Sequence, residues 1–427
     1  MASTQVPNPL RVLVSEGNST SAREAITILG LAGHRVEVCD PSRYCLARFS
    51  RFVRKFHHCP PMRDDPAGFL RFIEELLARR HFDVLLPIHE QGFLFARVRQ
   101  RLERQVALAL PAFESYRTVH GKAGFSRLLD ALGVPQPAMR IVKSTDELRD
   151  AAEFPCVVKT SVGTASRGVW FVCNEVDLEV ALRELSAQGV SANGAFADEV
   201  LVQEFVSGAI EKAQAVFFRG TLIGFHAYRQ IAAGAGGGEA LKQSISRPEM
   251  RAYVELIGER LAWHGALSVD YVLCDDATPR LIDCNPRLVE PMNAYLAGVD
   301  LVALLLLISR GETPAVADES RKGVRTHLAM QVLLGCALRG GTRRDIVGEC
   351  WRLLTGSDPY AESTEELTPV RLDWISALPL AMIAMLLLLA PKRANVLARS
   401  GWGSHLLDPG SIRLIESENF GKNDYSG

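Results

Sequence analysis

"TPRLIDCNPRLVEP", residues 278–291, places Asp283, Asn285 and Arg287 at every second position of a short strand interrupted by Pro286. Together with the run before it, "VDYVLCDDA" from residue 269, it reads as two strands joined by a polar turn around Ala277. Such a turn sets Asp270 nearly opposite Asp283, and the two-residue period of a strand puts Asp283 and Asn285 on one side. Facing carboxylates repel unless something positive lies between them. Asp270, Asp283 and Asn285 offer only hard oxygen donors, which suit magnesium or manganese and not zinc. The same residues can also be read without a metal, as an ion cluster in which Arg287 neutralises the pair.

Upstream lie two lysines that favour the metal reading. Lys159 ends the apolar strand "CVVK" just before "SVGTASRG" (161–168), and Lys122 opens a helix after "VHG". Point charges, a loop rich in backbone donors and an oxygen-ligand metal site together describe a cradle for polyphosphate. The loop runs between two strands and not into a helix. That excludes both the P-loop and the dinucleotide fingerprint, which need a helix N-terminus behind the glycines.

Further out, "LRVLVSEG", "NSTSAREAITILGLAGH" and "RVEVCD" read as strand, helix, strand; "FIEELLARRHFDVLLPIHE" repeats the move and "VALAL" adds another strand. The expectation is an open parallel α/β domain over residues 1–115. Ligands of such sheets gather beyond the strand C-termini, which nominates Glu16 and Glu90 as substrate-binding residues. In the middle of the chain, "KAQAVFFRGTLIGFHAYRQI" reads as a hairpin turning at Arg219 and Gly220. "AAGAGGGEALKQS" reads as flexible, and Pro248 opens a helix with Met250, Val254, Ile257 and Leu261 on one face. The expected division is 116–315 for the nucleotide-binding and catalytic region, 316–418 for a C-terminal accessory domain and 419–427 for a flexible tail.

The chain has 427 residues, enough for about two to four domains. Its 48 basic and 49 acidic side chains give no bulk attraction to nucleic acid, so any anion must be bound locally. Nine cysteines without a CxxC pair point to reduced thiols in a cytoplasmic chain. The N-terminus lacks the pattern of a signal peptide. "ISALPLAMIAMLLLLAP", from Ile375, approaches the lower limit for a membrane span but carries Pro379 near its start; the favoured expectation is a core helix packed against the rest of the enzyme or a second subunit, without stable membrane insertion, while the basic run "PKRANVLAR" after it leaves a membrane-surface or spanning role as the alternative.

Three blocks in order, "VVKTSVGTASRGV", "VLVQEFVSGAIEKAQAV" and "VDYVLCDDATPRLIDCNPR", make residues 10 to 315 resemble the ATP-grasp superfamily of carboxylate-activating ligases. The resemblance implies an α/β and α+β protein with the ATP-grasp fold, using ATP and Mg2+ or Mn2+. It implies that Lys122 and Lys159 bind ATP phosphates under a lid containing Ser161, Gly163, Thr164, Ser166 and Gly168. Gln203, Glu204, Phe205 and Val206 would form the adenine hinge, and Glu211 would hold the ribose. Asp270, Asp283 and Asn285 would hold the metal, and Arg287, with Lys159, would be catalytic. Having aspartate at both carboxylate positions departs from the glutamates of many relatives and bears on the metal geometry. His226, Arg229 and Lys242 lie where relatives line the acyl site and are, with Arg287, candidates for gripping the substrate.

The implied chemistry transfers the ATP γ-phosphate to a small carboxylic acid, an amino acid in the favoured reading, and lets an amine attack the acyl phosphate. No nucleophilic side chain is needed, and no G-x-S-x-G elbow is present. Partners are then small carboxylate and amine molecules and no nucleic acid, with a homodimer left open. Two other readings stand beside this one: a carboxylate-thiol ligase or carboxylase-type enzyme, and a non-catalytic nucleotide-binding regulator.

Overall fold

The computed structural model of the protein describes residues 8–163, 168–187, 194–400 and 406–417; the expected tail 419–427 lies outside them. Three sheets organise the chain. The first is parallel, in the order β3-β2-β1-β4, from β1 (Arg11–Val14), β2 (Arg35–Asp40), β3 (Val53–His58) and β4 (Val84–Leu86). Central strand β1 is apolar from Val12 to Val14 because both of its faces are covered: Val12 and Val14 fall in one core cluster and Leu13 in another. Strand β3, "VRKFHH", escapes the sequence reading because it is an edge strand with charged, partly exposed side chains and no alternation. "VALAL" is not a strand. Ala107 makes a single bridge to Val84, and the segment ends at Pro111.

The second sheet is antiparallel, in the order β5-β8-β6-β7, from β5 (Met139–Ser144), β6 (Cys156–Thr160), β7 (Val169–Val172) and β8 (Ala195–Glu204). Cys156, Val158, Val172, Val200 and Val202 point one way and pack under the helix Glu175–Ala187 through Leu178, Ala181, Leu182 and Leu185. The alternate residues Val157, Lys159, Phe171 and Gln203 therefore share the opposite face.

The third and largest sheet runs β13-β12-β9-β10-β11-β14-β15. It contains β9 (Ala209–Phe218), β10 (Thr221–Ala233), β11 (Glu239–Ile245), β12 (Gly265–Leu273), β13 (Pro279–Asn285), β14 (Arg325–His327) and β15 (Ser363–Glu365). The β9–β10 hairpin turns where the sequence places it, with Arg219 at φ 50° and Gly220 at φ 93°. The stretch read as flexible becomes β11: only Gly234–Gly238 stays irregular, and "EALKQSI" is a buried strand whose polar residues hide its periodicity. One face of this sheet is apolar. Ala213, Ala215, Phe217, Leu267 and Val269 meet Met250, Val254 and Ile257 of the helix Pro248–Arg260.

The other face is apolar at Val216, which packs with Leu301 and Leu304, and polar along the row of Lys212, Asp270 and Asp283, the part that matters for function. Residues after 316 build directly on the sheet, since β14 pairs with β11 and β15 with β14. The chain end returns to the first sheet, where the helix Pro409–Ser417 buries Ile412 and Ile415 in its core. A buried ion pair, Arg23 to Asp373 at 2.8 Å, ties the N-terminal helix Thr20–Leu31 to the C-terminal region.

Candidate active site

The turn around Ala277, at φ 63°, sets the β12–β13 register so that Asp270 faces Asp283 and Ser268 faces Asn285. Period two then aligns Asp283, Asp270, Lys212 and Tyr228 as one row across four strands. Each carboxylate has a lysine. Lys212 Nζ lies 3.5 Å from Asp270 Oδ2 and 2.6 Å from Glu239 Oε1, and Lys122 Nζ lies 3.7 Å from Asp283 Oδ2. Lys212 was not singled out in the sequence; its alternation with Gln214 on β9 was the available signal. Burial pushes the Asp270 carboxyl up to about 6 against the opposing pull of Lys212.

Lys159 crosses from the second sheet to the third, donating to the Ile282 carbonyl at 3.0 Å. Burial brings its ammonium down to about 8, partly offset by Asp283. Lys122 donates to the Gly163 carbonyl at the start of the expected lid, and its backbone N–H donates to the Ser161 carbonyl at 2.8 Å. Gly168 closes the far side of that loop at φ 69°, where a Cβ would stand 2.1 Å from Thr160 Oγ1; only glycine fits. Thr164 and Ser166 lie outside the described residues.

Beyond Asn285 the chain tightens, with the Arg287 N–H donating to the Asn285 carbonyl at 2.7 Å. The Arg287 guanidinium donates to Asn285 Oδ1 at 3.0 Å. A pocket is lined by Arg287, Asp283, Asn285, Lys122 and Glu90, with Tyr116 and His120 behind them. Burial and the neighbouring Lys122 and Arg287 bring His120 down to about 3, so it is a neutral ring against Phe93. Glu90 also accepts from the Leu407 N–H, which anchors the returning chain end.

At the expected hinge, Gln203 is buried, while Glu204 accepts from the Ala138 N–H at 3.2 Å. Phe205 is exposed and stands edge-on to Phe171, their centroids 6.3 Å apart. Phe171 shares the Lys159 face, and sequence reading missed it for lack of a motif around it. Val206 follows in the loop to β9.

The other expected site residues are not brought to this pocket. Glu211 and Arg229 are cross-strand partners on the opposite face of the third sheet. The Glu211 carboxylate is fully buried and accepts from Arg229, Arg247 and the Tyr271 hydroxyl, so a ribose would have to displace one of them. Glu16 is turned inward, accepting from the Asn18 and Ser19 N–H groups at the start of the first helix. His226 is a core histidine: Nε2 is 2.9 Å from Asn293 Oδ1, and burial brings it down to about 4. Lys242 lies on the polar face but is enclosed, 2.8 Å from Glu290 and 2.7 Å from Glu366. Glu24 joins these two carboxylates, and burial pushes Glu366 up to about 7.

The donor set fits a divalent cation. Asp270 Oδ1 is buried without a hydrogen-bond partner, Asp283 stands opposite it, and Asn285 follows two residues on with its Oδ1 accepting from Arg287. Glu24, Glu290 and Glu366 form a second carboxylate cluster, but Lys242 already stands in it as its cation.

No protein-family model matches the chain. Over 319 residues it is 27% identical to the multifunctional protein CAD of Squalus acanthias, a match spanning 67% of this chain and 14% of that protein. It is 27% identical over 228 residues to the carbamoyl phosphate synthase large chain of Thermus thermophilus, covering 49% of this chain and 21% of that one. The matches thus span only 14% and 21% of the length of these curated relatives. Among solved structures, the ADP complex of N5-carboxyaminoimidazole ribonucleotide synthetase aligns with a TM-score of 0.60 at 16% identity, covering 79% of this chain and 86% of that one. The L-amino acid ligase of Bacillus licheniformis aligns at 0.59 and 15% identity over 75% and 81%. The biotin carboxylase domain of Hydrogenobacter thermophilus 2-oxoglutarate carboxylase, solved with MgADP and bicarbonate, aligns at 0.59 and 16% over 74% of each chain.

The chain has the ATP-grasp fold. In this ATP-grasp chain the second and third sheets are the two jaws, joined by Lys159 where it reaches Ile282. Of the row Asp283, Asp270 and Lys212, Asp283 lines the pocket and the other two continue from it across the third sheet.

Proposed function

We propose that this ATP-grasp chain is an ATP-dependent ligase that converts a small carboxylic acid, an amino acid in the favoured reading, to an acyl phosphate and joins it to an amine. The observation that carries the reading is the convergence of Lys122, Asp283, Asn285 and Arg287 on one pocket, with Lys159 reaching the same strand. Lys122 and Lys159 would hold the ATP phosphates. Phe171 and Phe205 would wall the base beside the hinge. Asp270, Asp283 and Asn285 would hold Mg2+, which when bound supplies charge neutralisation on the transferring phosphoryl oxygens.

Attack of the substrate carboxylate oxygen on the γ-phosphorus breaks its bond to the bridging oxygen and releases ADP. The amine then adds to the acyl carbon, and collapse of the tetrahedral oxyanion expels phosphate while the amine loses its proton. Arg287 is placed to donate to that oxyanion, and closing the loop between Ser161 and Gly168 would exclude water. Glu211 and Arg229 have no part in these steps, since they face away from the pocket.

A carboxylase-type reading with bicarbonate as the acid is favoured by one specific observation, the sequence matches to carbamoyl phosphate synthase large chains. The two readings separate in one experiment. ATP hydrolysis is measured with bicarbonate and with a panel of amino acids, each with and without amines, and joined products are detected by mass. Amide products from amino acids support the favoured reading, bicarbonate-dependent hydrolysis with an N-carboxylated amine (carbamate) product supports the second, and nucleotide binding without turnover in any arm overturns both.

A further inference from the structure

The segment expected to pack as a core helix does not hide its apolar side chains. The helix Ala377–Leu389 is apolar all round, yet of its residues only Leu387 is fully buried. Its exposed positions are Leu378, Ala381, Met382, Met385 and Leu389, spaced three and four apart, so the face turned to solvent contains no polar side chain. An ordinary surface helix shows the reverse pattern.

The helix beside it, Arg343–Thr355, continues the stripe. Val347, Trp351 and Leu354 recur at four and three residues, with Trp351 66% and Leu354 84% exposed. The two helices pack on each other and on the helix Ala329–Leu338 through Leu353, Leu380, Ile383 and Ala384, so the stripes are the sides left over after packing. Among the described residues, eleven of the 23 exposed large apolar side chains lie between residues 347 and 396. A patch this concentrated marks an interaction site.

Charge identifies the partner. At one end of the stripe stand Arg343, Arg344, Lys392 and Arg393, all exposed. Arg343 and Arg344 begin the first helix three and four residues before Val347, and Lys392 and Arg393 follow the second just after Leu389. The Arg343 guanidinium donates to the Leu389 carbonyl at 2.8 Å, which brings the two pairs together. None of the four makes an ion pair among the described residues, although the exposed Asp345 carboxylate adjoins Arg344 in the chain, and the apolar positions of the stripe carry no carboxylate. A second copy of the chain meeting this face would bury the apolar side chains but bring eight cations together against one exposed carboxylate, Asp345, from each helix pair. Lipid headgroups of negative charge satisfy both at once, with apolar side chains at the acyl boundary and cations among the phosphates. No helix among the described residues is long and apolar enough to cross a membrane, so the contact is with the surface.

We propose that the paired helices Arg343–Thr355 and Ala377–Leu389 dock this protein on an anionic membrane surface. The test is flotation of the full chain with vesicles of phosphatidylcholine alone and of phosphatidylcholine with phosphatidylglycerol in equal parts. The protein should float with the mixed vesicles and not with the neutral ones. Trp351 and Trp374 fluorescence should shift to the blue only with the former, a readout that needs no variant. Replacing the four cations together (R343Q/R344Q/K392Q/R393Q) should weaken partition on the order of a hundredfold or more. Met382→Glu with Met385→Glu should abolish it while leaving the thermal midpoint in place. Absence of flotation and of any fluorescence shift in the unmodified protein would overturn the proposal, as would a cation variant that floats like the parent. A dimer by light scattering that Met382→Glu with Met385→Glu dissociates, without vesicle binding by either form, would give the face to a second copy instead.

Discussion

Asp270 and Asp283 face each other across β12 and β13, and each carboxylate has a different lysine: Lys212 at 3.5 Å from Asp270 and Lys122 at 3.7 Å from Asp283. The two lysines are built differently. Lys212 lies inside the third sheet, shared with Glu239, whereas Lys122 opens a helix at the pocket and touches the loop that begins at Ser161. Lys212→Met leaves Asp270 and Glu239 without their cation and should cost about 3–5 kcal/mol of stability. Lys122→Met should keep the fold and lose affinity for a nonhydrolysable ATP analogue. Denaturant titration and analogue binding on both variants check the contrast; equal stability of the two would remove the structural role of Lys212.

Asp283→Asn tests the metal assignment. The parent should bind the analogue more tightly with Mg2+ than without it, and the variant should lose most of that difference while folding normally. Calorimetric titration with and without the ion decides the matter, and an unchanged ratio rejects the ligand role of Asp283.

Lys159 supplies a pH dependence. Its ammonium sits at about 8 through burial, so a folded-state pKa below the usual lysine range leaves it charged below pH 8 and increasingly neutral above. Phosphate binding favours the charged form. Analogue affinity should therefore fall as pH rises through about 8, by up to tenfold per unit, and Lys159→Met should both weaken binding and flatten the profile in that window. A parent profile already flat there contradicts the assignment.

Arg287 donates to Asn285 Oδ1 and lines the pocket, but ATP would be held by other groups. Arg287→Met should slow amide formation by about a hundredfold, the usual loss for one oxyanion donor, with a much smaller change in analogue affinity. Single-turnover rates set beside thermal midpoints separate this from the rival role, in which Arg287 only steadies the strand pair and its loss lowers stability.

The C-terminal region is held by a charge. Asp373 is fully buried, pairs with Arg23 and accepts from the Ser50 hydroxyl at 2.6 Å. Asp373→Ala strands a buried guanidinium and should cost about 3–5 kcal/mol. Replacing both residues by apolar ones of similar size should recover much of that loss in denaturant titrations.

Local pattern was enough to read the β12–β13 hairpin, its turn at Ala277 and the facing of Asp270 and Asp283, because a strand's period and a tight turn determine which side chains stand opposite each other. It was enough for the two strands that flank the glycine-rich segment and for the β9–β10 turn for the same reason. Polar residues on buried strands were not legible: β11 looked like loop because Lys242, Gln243 and Ser244 resemble surface residues until Glu290 and Glu366 arrive from distant parts of the chain to pair with Lys242. Glu211 shows the limit most clearly. Sequence order places it in the nucleotide block, but the sheet register turns it to the face of Tyr271, Arg229 and Arg247, and which face of a central strand meets the ligand depends on what packs against each side. The apolar segment from Ala377 was legible as a helix, but its exposure was not, since burial depends on whether another element arrives to cover it. The sequence by itself determined the row of chemistry along the strands. The tertiary structure decided which members of that row share a pocket, because long-range packing and ion pairing choose the face each strand turns inward.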